Sequence, residues 1–301
     1  MNRGWKNLCA RMRDGRGQGH GDFYQPWLWI RRKNTSSKGN QVTGAMPGYR
    51  RSSHFLARVE WHVGLLCLYL GARDVREQLP LWPHAHPHPL NDLFLRRGLA
   101  RSQHRGLLDI AREAGIEHGS EVGFPDVPYV ATLDLAVTLV ARQAVCLVAV
   151  SLKPFGEVLE AEPLDRMLER LELERRYFAE SCDRYVIADQ SLLGRYTGGN
   201  LETYSAARQL PTHLSCPMLV NDFSMHLVDV AKQVPISEAI NHVGGSMRLG
   251  SFDADLLWRH AVWTRRVELD ITAPIELGRP LVCDGGIMAR ALATALFGEV
   301  V

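Results

Sequence analysis

Apolar side chains occupy nearly every helical offset between Phe55 and Leu70 (FLARVEWHVGLLCLYL), which predicts a helix buried around most of its circumference. One carboxylate interrupts the pattern. Glu60 lies one turn from Leu56 and one from Val63 and Gly64, so it projects from an apolar stripe where an unpaired charge is costly. Either a cation meets it there, or it sits at the helix edge with its head in water. Tyr129–Val140 and Ala144–Leu152 are β-branched and apolar around a short polar break and predict two antiparallel strands. Period-two alternation puts Val130, Thr132, Asp134, Ala136 and Thr138 on one face of the first strand, and Ala149, Ser151 and Lys153 on one face of the second. A turn centred at Gln143–Ala144 would set Asp134 opposite Lys153.

Leu164–Glu180 carries Leu164, Met167, Leu168, Leu171 and Phe178 on one stripe and reads as an amphipathic helix, followed by a short strand at Tyr185–Ala188. A hairpin, a helix and a further strand, all after a helix bearing an inward acid, predict an α/β sandwich over residues 50–190. Between them, the prolines of Val75–Pro89 are expected to end regular structure and expose His84, His86 and His88 in an extended connector. Alternate histidines can bind a transition metal, but no neighbouring acid completes a geometry in the sequence. After Asp189, the residues Gly194, Gly198, Gly199 and Asn200 predict a linker. Helices at Cys216–Ala231, at Ile236–Val243 (ending at Gly244–Gly245) and at Phe252–Trp263 (capped by Ser251), then strands at Arg266–Thr272 and Leu277–Cys283, follow the order of a winged helix. Arg259, His260, Arg265 and Arg266 would suit DNA there, while Trp258 and Trp263 suit core or a protein contact.

Composition adds one asymmetry. The whole chain of 301 residues nets only +2, yet residues 1–60 hold twelve Lys and Arg against Asp14, Asp22 and Glu60. With Tyr24, Trp27 and Trp29 interleaved, this basic arm suits a phosphate backbone and base stacking, and equally a solvated tail. Six scattered cysteines with no CxxC argue against a zinc ribbon or a disulfide framework, and no apolar run approaches the ~20 residues of a membrane span. A reducing cytoplasm, with no membrane partner, is the expectation.

The chemistry gathers at three residues. An acid on a helix (Glu60), an acid on a strand (Asp134) and a lysine on the next strand (Lys153, in Ser151-Leu152-Lys153) follow the order of a PD-(D/E)xK nuclease. Hydrolysis of a phosphodiester needs carboxylates that hold Mg²⁺ and a lysine that eases formation of hydroxide. Spacing alone does not make the pattern specific.

Around these residues, GRGQGHGDFYQPWL (Gly15–Leu28), ARVE (Ala57–Glu60), DVREQLPLWP (Asp74–Pro83), AGIEH (Ala114–His118), ATLDLAV (Ala131–Val137), VSLKP (Val150–Pro154) and LERLELERRYF (Leu168–Phe178) occur in the order and spacing of the TnsA family. That family is the endonuclease subunit of Tn-seven-like heteromeric transposases, and the resemblance spans residues 10–190. It implies a restriction-endonuclease-like catalytic domain over residues 1–190, with its basic arm; residues 191–301, which resemble the family only in length and in their winged-helix-like pattern, are expected to form a winged-helix-like domain that binds the ATPase partner. It also implies cleavage of the non-transferred strands at the 5′ ends of the transposon, beside a TnsB-like recombinase and a TnsC-like AAA+ ATPase, on transposon-end DNA in the bacterial cytoplasm. Glu60, Asp134 and Lys153 match the catalytic residues, and Glu60, Asp134, Ser151 and the Leu152 carbonyl match the ligands for Mg²⁺, with Mn²⁺ as a substitute. Ser151 departs from the family's glutamine, a longer and stronger ligand. Arg16, Gln18, His20 and His118 fall in segments expected to meet DNA, although a structural hydrogen bond also accounts for His118. Arg175 and Arg176 are expected to pair with nearby acids or to reach DNA. Two rival readings stay open: a non-catalytic assembly subunit bridging recombinase and ATPase, and an autonomous restriction-type enzyme.

Overall fold

The alternation over Ala131–Ala141 (β8) and Ala144–Leu152 (β9) builds the centre of the fold, an antiparallel pair in the register Leu135↔Val150 to Ala141↔Ala144. The computed structural model describes residues 2–30, 40–95, 103–141, 144–153, 164–181 and 183–298. Arg31, Arg32, Lys33 and Lys38 of the basic arm, Gln143 of the hairpin turn and Cys182 lie outside them. The elements before the central pair are helix α1 (Arg3–Arg13), strands β1 (Val42–Ala45) and β2 (Ser52–Phe55), helix α2 (Arg58–Tyr69), strand β3 (Asp74–Leu81), strand β4 (His86–Pro87), helix α3 (Asn91–Leu95), strand β5 (Gln103–His104), helix α4 (Leu107–Ala114) and strands β6 (Ser120–Glu121) and β7 (Phe124–Pro128). After it come α5 (Leu164–Ala179), β10 (Arg184–Ala188), α6 (Thr197–Ser205), α7 (Pro217–Ala231), α8 (Ile236–Ser246), α9 (Ser251–Trp263) and α10 (Gly285–Phe297).

The main sheet runs β10-β9-β8-β3, with β10 parallel to β9 and the other pairs antiparallel, so it is mixed. Apolar side chains cover both of its faces. On one, Val63, Leu66 and Cys67 of α2 pack with Leu135, Val137, Val148 and Val150 and with Leu201, Trp258 and Phe297 of the C-terminal helices. On the other, Leu107 and Ile110 of α4 and Leu173, Tyr177 and Phe178 of α5 pack with Leu133, Ala136, Leu147 and Ala149. A sheet between two helical layers is the α/β sandwich that the sequence predicts.

Several expectations are corrected. Asp74–Leu81 is a strand in spite of Pro80, and all eight residues are buried. Proline is tolerated because β3 is an edge strand. The part expected as a basic tail covers that edge: Trp27 N–H donates to the Gln78 carbonyl (3.2 Å), Tyr24 Oη to the Glu77 carbonyl (2.8 Å) and Arg51 Nη2 to the Val75 carbonyl (3.0 Å). Tyr24 and Trp27 are therefore core residues, 1% and 2% exposed, and not stacking platforms for bases. Of the three histidines after the strand only His84 is exposed, and His88 is buried.

The hairpin register differs by two residues from the expected one and runs Asp134 alongside Ser151 instead of Lys153. The presumed linker is helix α6, where a Cβ on Gly198 would lie 2.6 Å from the His62 ring, so this glycine permits a close helix contact. Gly244 and Gly245 lie inside α8, with Gly244 against Ala254, and the cap of α9 is Gly250, with Ser251 its first residue. The expected strands Arg266–Thr272 and Leu277–Cys283 are irregular. Their backbone bonds elsewhere: Ile236 N–H donates to Arg279 O, Ser237 N–H to Leu277 O and Leu281 N–H to Ala231 O. With those groups engaged by α7 and α8, no ribbon pairs, and the described C-terminal helices carry no wing. Trp258 and Trp263 are core, Arg259 pairs with Asp255 (2.7 Å), and His260 bonds the Ala207 carbonyl (2.8 Å).

Candidate active site

Glu60 sits in the first turn of α2, and its carboxylate accepts a hydrogen bond from the Leu56 N–H at 2.9 Å, which caps its own helix and fixes the head at the helix mouth. It is 7% exposed. Neither open reading of the sequence is complete, since the head is neither in water nor unpartnered. Asp134, midway along β8 and also 7% exposed, accepts from the Leu152 N–H at 2.7 Å and from Lys153 Nζ at 3.0 Å. Lys153 stands one residue past β9 and donates a second bond to the Leu152 carbonyl at 3.0 Å. The two-residue register shift makes this contact diagonal, within reach of a long side chain. The structure thus brings Glu60, Asp134, Leu152 and Lys153 together.

Burial, then the Asp134 carboxylate, push the Glu60 carboxyl up to about 8, against the Leu56 N–H and the Lys153 ammonium. Two buried acids meet the Lys153 ammonium, with Arg170 also in electrostatic reach of Asp134, and their oxygens, with the Leu152 carbonyl, are donors of the kind that hard divalent cations take. The residues present fit such an ion.

Ser151 is 1% exposed, with its hydroxyl beside the Tyr185 phenol. Gln78 was not singled out from the sequence, although it stands in the REQ segment. It faces the position of Asp134 across β3 and β8, has φ 52° and is fully buried. Its amide oxygen accepts from Thr132 Oγ1 at 2.9 Å, which turns its Nε2 towards Glu60 at 3.4 Å. A non-glycine residue in the left-handed region inside a strand is strained, and such strain gathers at functional sites. Its neighbours in the segment are structural. Glu77 is fully buried and pairs with Arg51 at 2.7 Å, and Arg76 is 1% exposed.

The residues expected to meet DNA are not among these contacts. Arg16 lies over the Trp29 ring, Gln18 is exposed and donates to the Met12 carbonyl at 3.2 Å, and His20 bridges Asp92 (2.7 Å) and Asp74 (3.6 Å). His118 bonds the Gly119 carbonyl (2.8 Å) and lines a cavity of about 200 Å³ with Arg166 and Arg170. Arg170 reaches the Thr132 carbonyl at 3.3 Å, two residues from Asp134; it stands in the LERLELERRYF segment but is not singled out there. Arg175 and Arg176 both pair with Glu172 (2.7 and 2.6 Å), as surface pairs do.

The histidines of the former connector form a second centre. His88 Nε2 meets Asp183 at 2.6 Å, His86 Nε2 meets the Tyr177 hydroxyl at 2.7 Å, and His104 stacks between His86 and His88. Burial pushes His86 and His104 down to about 4.

A mixed sheet between helical layers, with a buried acid pair and a lysine beside it, is consistent with a nuclease-like α/β fold. The chain is TnsA-like: it is 27% identical over 239 residues, 76% of each chain, to transposon Tn7 transposition protein TnsA of Escherichia coli. No protein-family profile matches the chain. Among the described residues no helix is long and apolar enough to cross a membrane.

Proposed function

We propose that this chain is the DNA-cleaving subunit of a heteromeric transposase, which hydrolyses the non-transferred strand at the 5′ ends of the transposon in the presence of Mg²⁺. The observation that carries the reading is the contact of Lys153 with Asp134 beside the buried Glu60. The similarity to a transposition protein supports it. Glu60, Asp134 and the Leu152 carbonyl would hold Mg²⁺, which supplies neutralisation of the charge that builds on the scissile phosphate. Ser151, buried beside Tyr185, would contribute at most a hydroxyl.

The protein's own groups set the geometry. Two of the three N–H bonds of the Lys153 ammonium are engaged by Asp134 Oδ2 and the Leu152 carbonyl, which leaves one to hold the attacking water or a phosphate oxygen. The reading also assigns contact with the DNA backbone to His118, which lines a cavity with Arg166 and Arg170, and to Arg16, Gln18 and His20 of the N-terminal segment. Phosphate contacts carry no sequence information, so the choice of transposon ends falls to the partners, a TnsB-like recombinase and a TnsC-like AAA+ ATPase, the latter bound through residues 191–301.

Strand-resolved mapping of breaks on a plasmid carrying the transposon ends, with Mg²⁺ and both partners, tests this. Wild type is expected to give 5′-strand cuts that Asp134→Ala lacks while 3′ cutting survives. Absence of 5′ cuts from both proteins, with equal stimulation of 3′ joining, would make the chain an assembly subunit. Sequence-specific cutting without partners would make it an autonomous enzyme.

A further inference from the structure

We propose that His88, His104 and Asp183 bind a borderline divalent transition metal of the zinc class, at a structural centre separate from the Glu60–Asp134 site. Their donor atoms lie within 4.8 Å of one another and come from three segments far apart in sequence. The side chains of His88 and Asp183 are 0% and 2% exposed, and His104 is 2% exposed. The decisive residue is His104. Both of its ring nitrogens are buried without a hydrogen-bond partner among the described residues. Burying an imidazole that way is costly, and a group so placed calls for an ion or a water that satisfies it.

The surroundings are those of a ligand set. The Ser181 hydroxyl donates to Asp183 and orients its carboxylate, and the His88 and His104 rings stack 5.2 Å apart at 19°. Two imidazole nitrogens and one carboxylate oxygen are the donors zinc takes, whereas Mg²⁺ prefers oxygen alone. A cavity of about 630 Å³ has His86 and His88 in its wall.

Binding requires one proton to move. Leu90 N–H now donates to His88 Nδ1 at 3.1 Å, so the ring proton sits on Nε2 and points at Asp183. When the metal takes the Nε2 lone pair, that proton shifts to Nδ1 and the Leu90 N–H turns away. The Leu90–His88 and His88–Asp183 hydrogen bonds are exchanged for three metal–ligand bonds, with no net proton released. The centre then ties the paired strands β4 and β5 to the start of strand β10, which flanks β9.

The test uses the full chain, purified without chelator, exposed to an equimolar amount of Zn²⁺ and dialysed against Mg²⁺ buffer. Metal analysis is expected to find about one equivalent of zinc in wild type and in Asp134→Ala, and little in His104→Ala. Co²⁺ in place of Zn²⁺ should give visible absorption bands that His104→Ala lacks, and adding a strong chelator to wild type should lower Tm by several degrees, a readout that needs no variant to fold. Wild type that retains no zinc, with Tm unmoved by Zn²⁺ or chelator, overturns the proposal and leaves His104 a buried stacking ring. Zinc lost from Asp134→Ala but kept by His104→Ala would place the ion at the other site and overturn it equally.

Discussion

Gln78 shows how much one side chain's conformation can say. Its φ of 52° is affordable because Thr132 and Glu60 hold both ends of the amide, and the same two bonds aim it at the acid that most needs a neighbour. If the chain cleaves as proposed, Gln78→Ala is expected to slow 5′-strand cleavage about 10-fold and to raise the Mg²⁺ concentration needed, as loss of a group that orients a metal ligand does. A Mg²⁺ titration of the cleavage rate checks this, and an unchanged titration would make Gln78 a packing residue. Asp74 makes a prediction about pH. Burial raises its pKa, but the His20 ring, Arg76, the Gly21 N–H and the Tyr49 hydroxyl outweigh that and bring it down to about 2. A carboxylate with a lowered folded-state pKa adds stability that is fully present above its unfolded value near 4 and is lost as pH falls towards 2. Asp74→Asn should therefore cost up to ~2 kcal/mol at neutral pH, with the gap to wild type closing between about pH 4 and pH 2. Denaturant unfolding over that range would show it.

At the scale of elements, the sequence pattern was reliable where one element carried its own periodicity. The helix around Glu60, the β8–β9 pair, the amphipathic helix after it and the strand Arg184–Ala188 all appear close to where the apolar spacing puts them. It failed where the deciding contact came from elsewhere. Asp74–Leu81 reads as a broken, proline-rich connector until Tyr24, Trp27 and Arg51 cover its edge. Gly198 and Gly199 read as a linker until α2 lies against α6, where Gly198 makes room for the His62 ring. Gly198→Ala would force the His62 ring, held at 2.6 Å by Glu202, out of place, and is expected to cost about 1–3 kcal/mol by overpacking. Gly199→Ala, with open space at its Cβ, is the control and should be neutral or slightly stabilising. Thermal unfolding of the pair separates the two.

For the whole molecule, the core that backs the sheet is shared. Leu201, Phe223, Trp258 and Phe297 belong to the same buried cluster as Val63, Val137 and Val150. Residues 1–190 expressed alone would bare that surface, and we expect them to be aggregation-prone and protease-sensitive compared with the full chain. Limited proteolysis of the two proteins decides it, because a truncated chain as resistant as the full one would mean two independent cores.

Sequence pattern alone assigns the strongly periodic elements and the chemical cast: Glu60 on a helix, Asp134 on one strand and Lys153 just past the next, in a chain order resembling that of a transposase endonuclease. Those are properties of spacing, which one chain carries in full. Tertiary structure decided the strand register, hence that Lys153 reaches Asp134 across a diagonal, and it brought in Gln78 from an edge strand. It also gathered His88, His104 and Asp183 into one buried centre, where the sequence offered histidines without an acid. The physical reason is the same in each case: burial and pairing depend on partners tens of residues away, and periodicity reports only which side of an element is apolar.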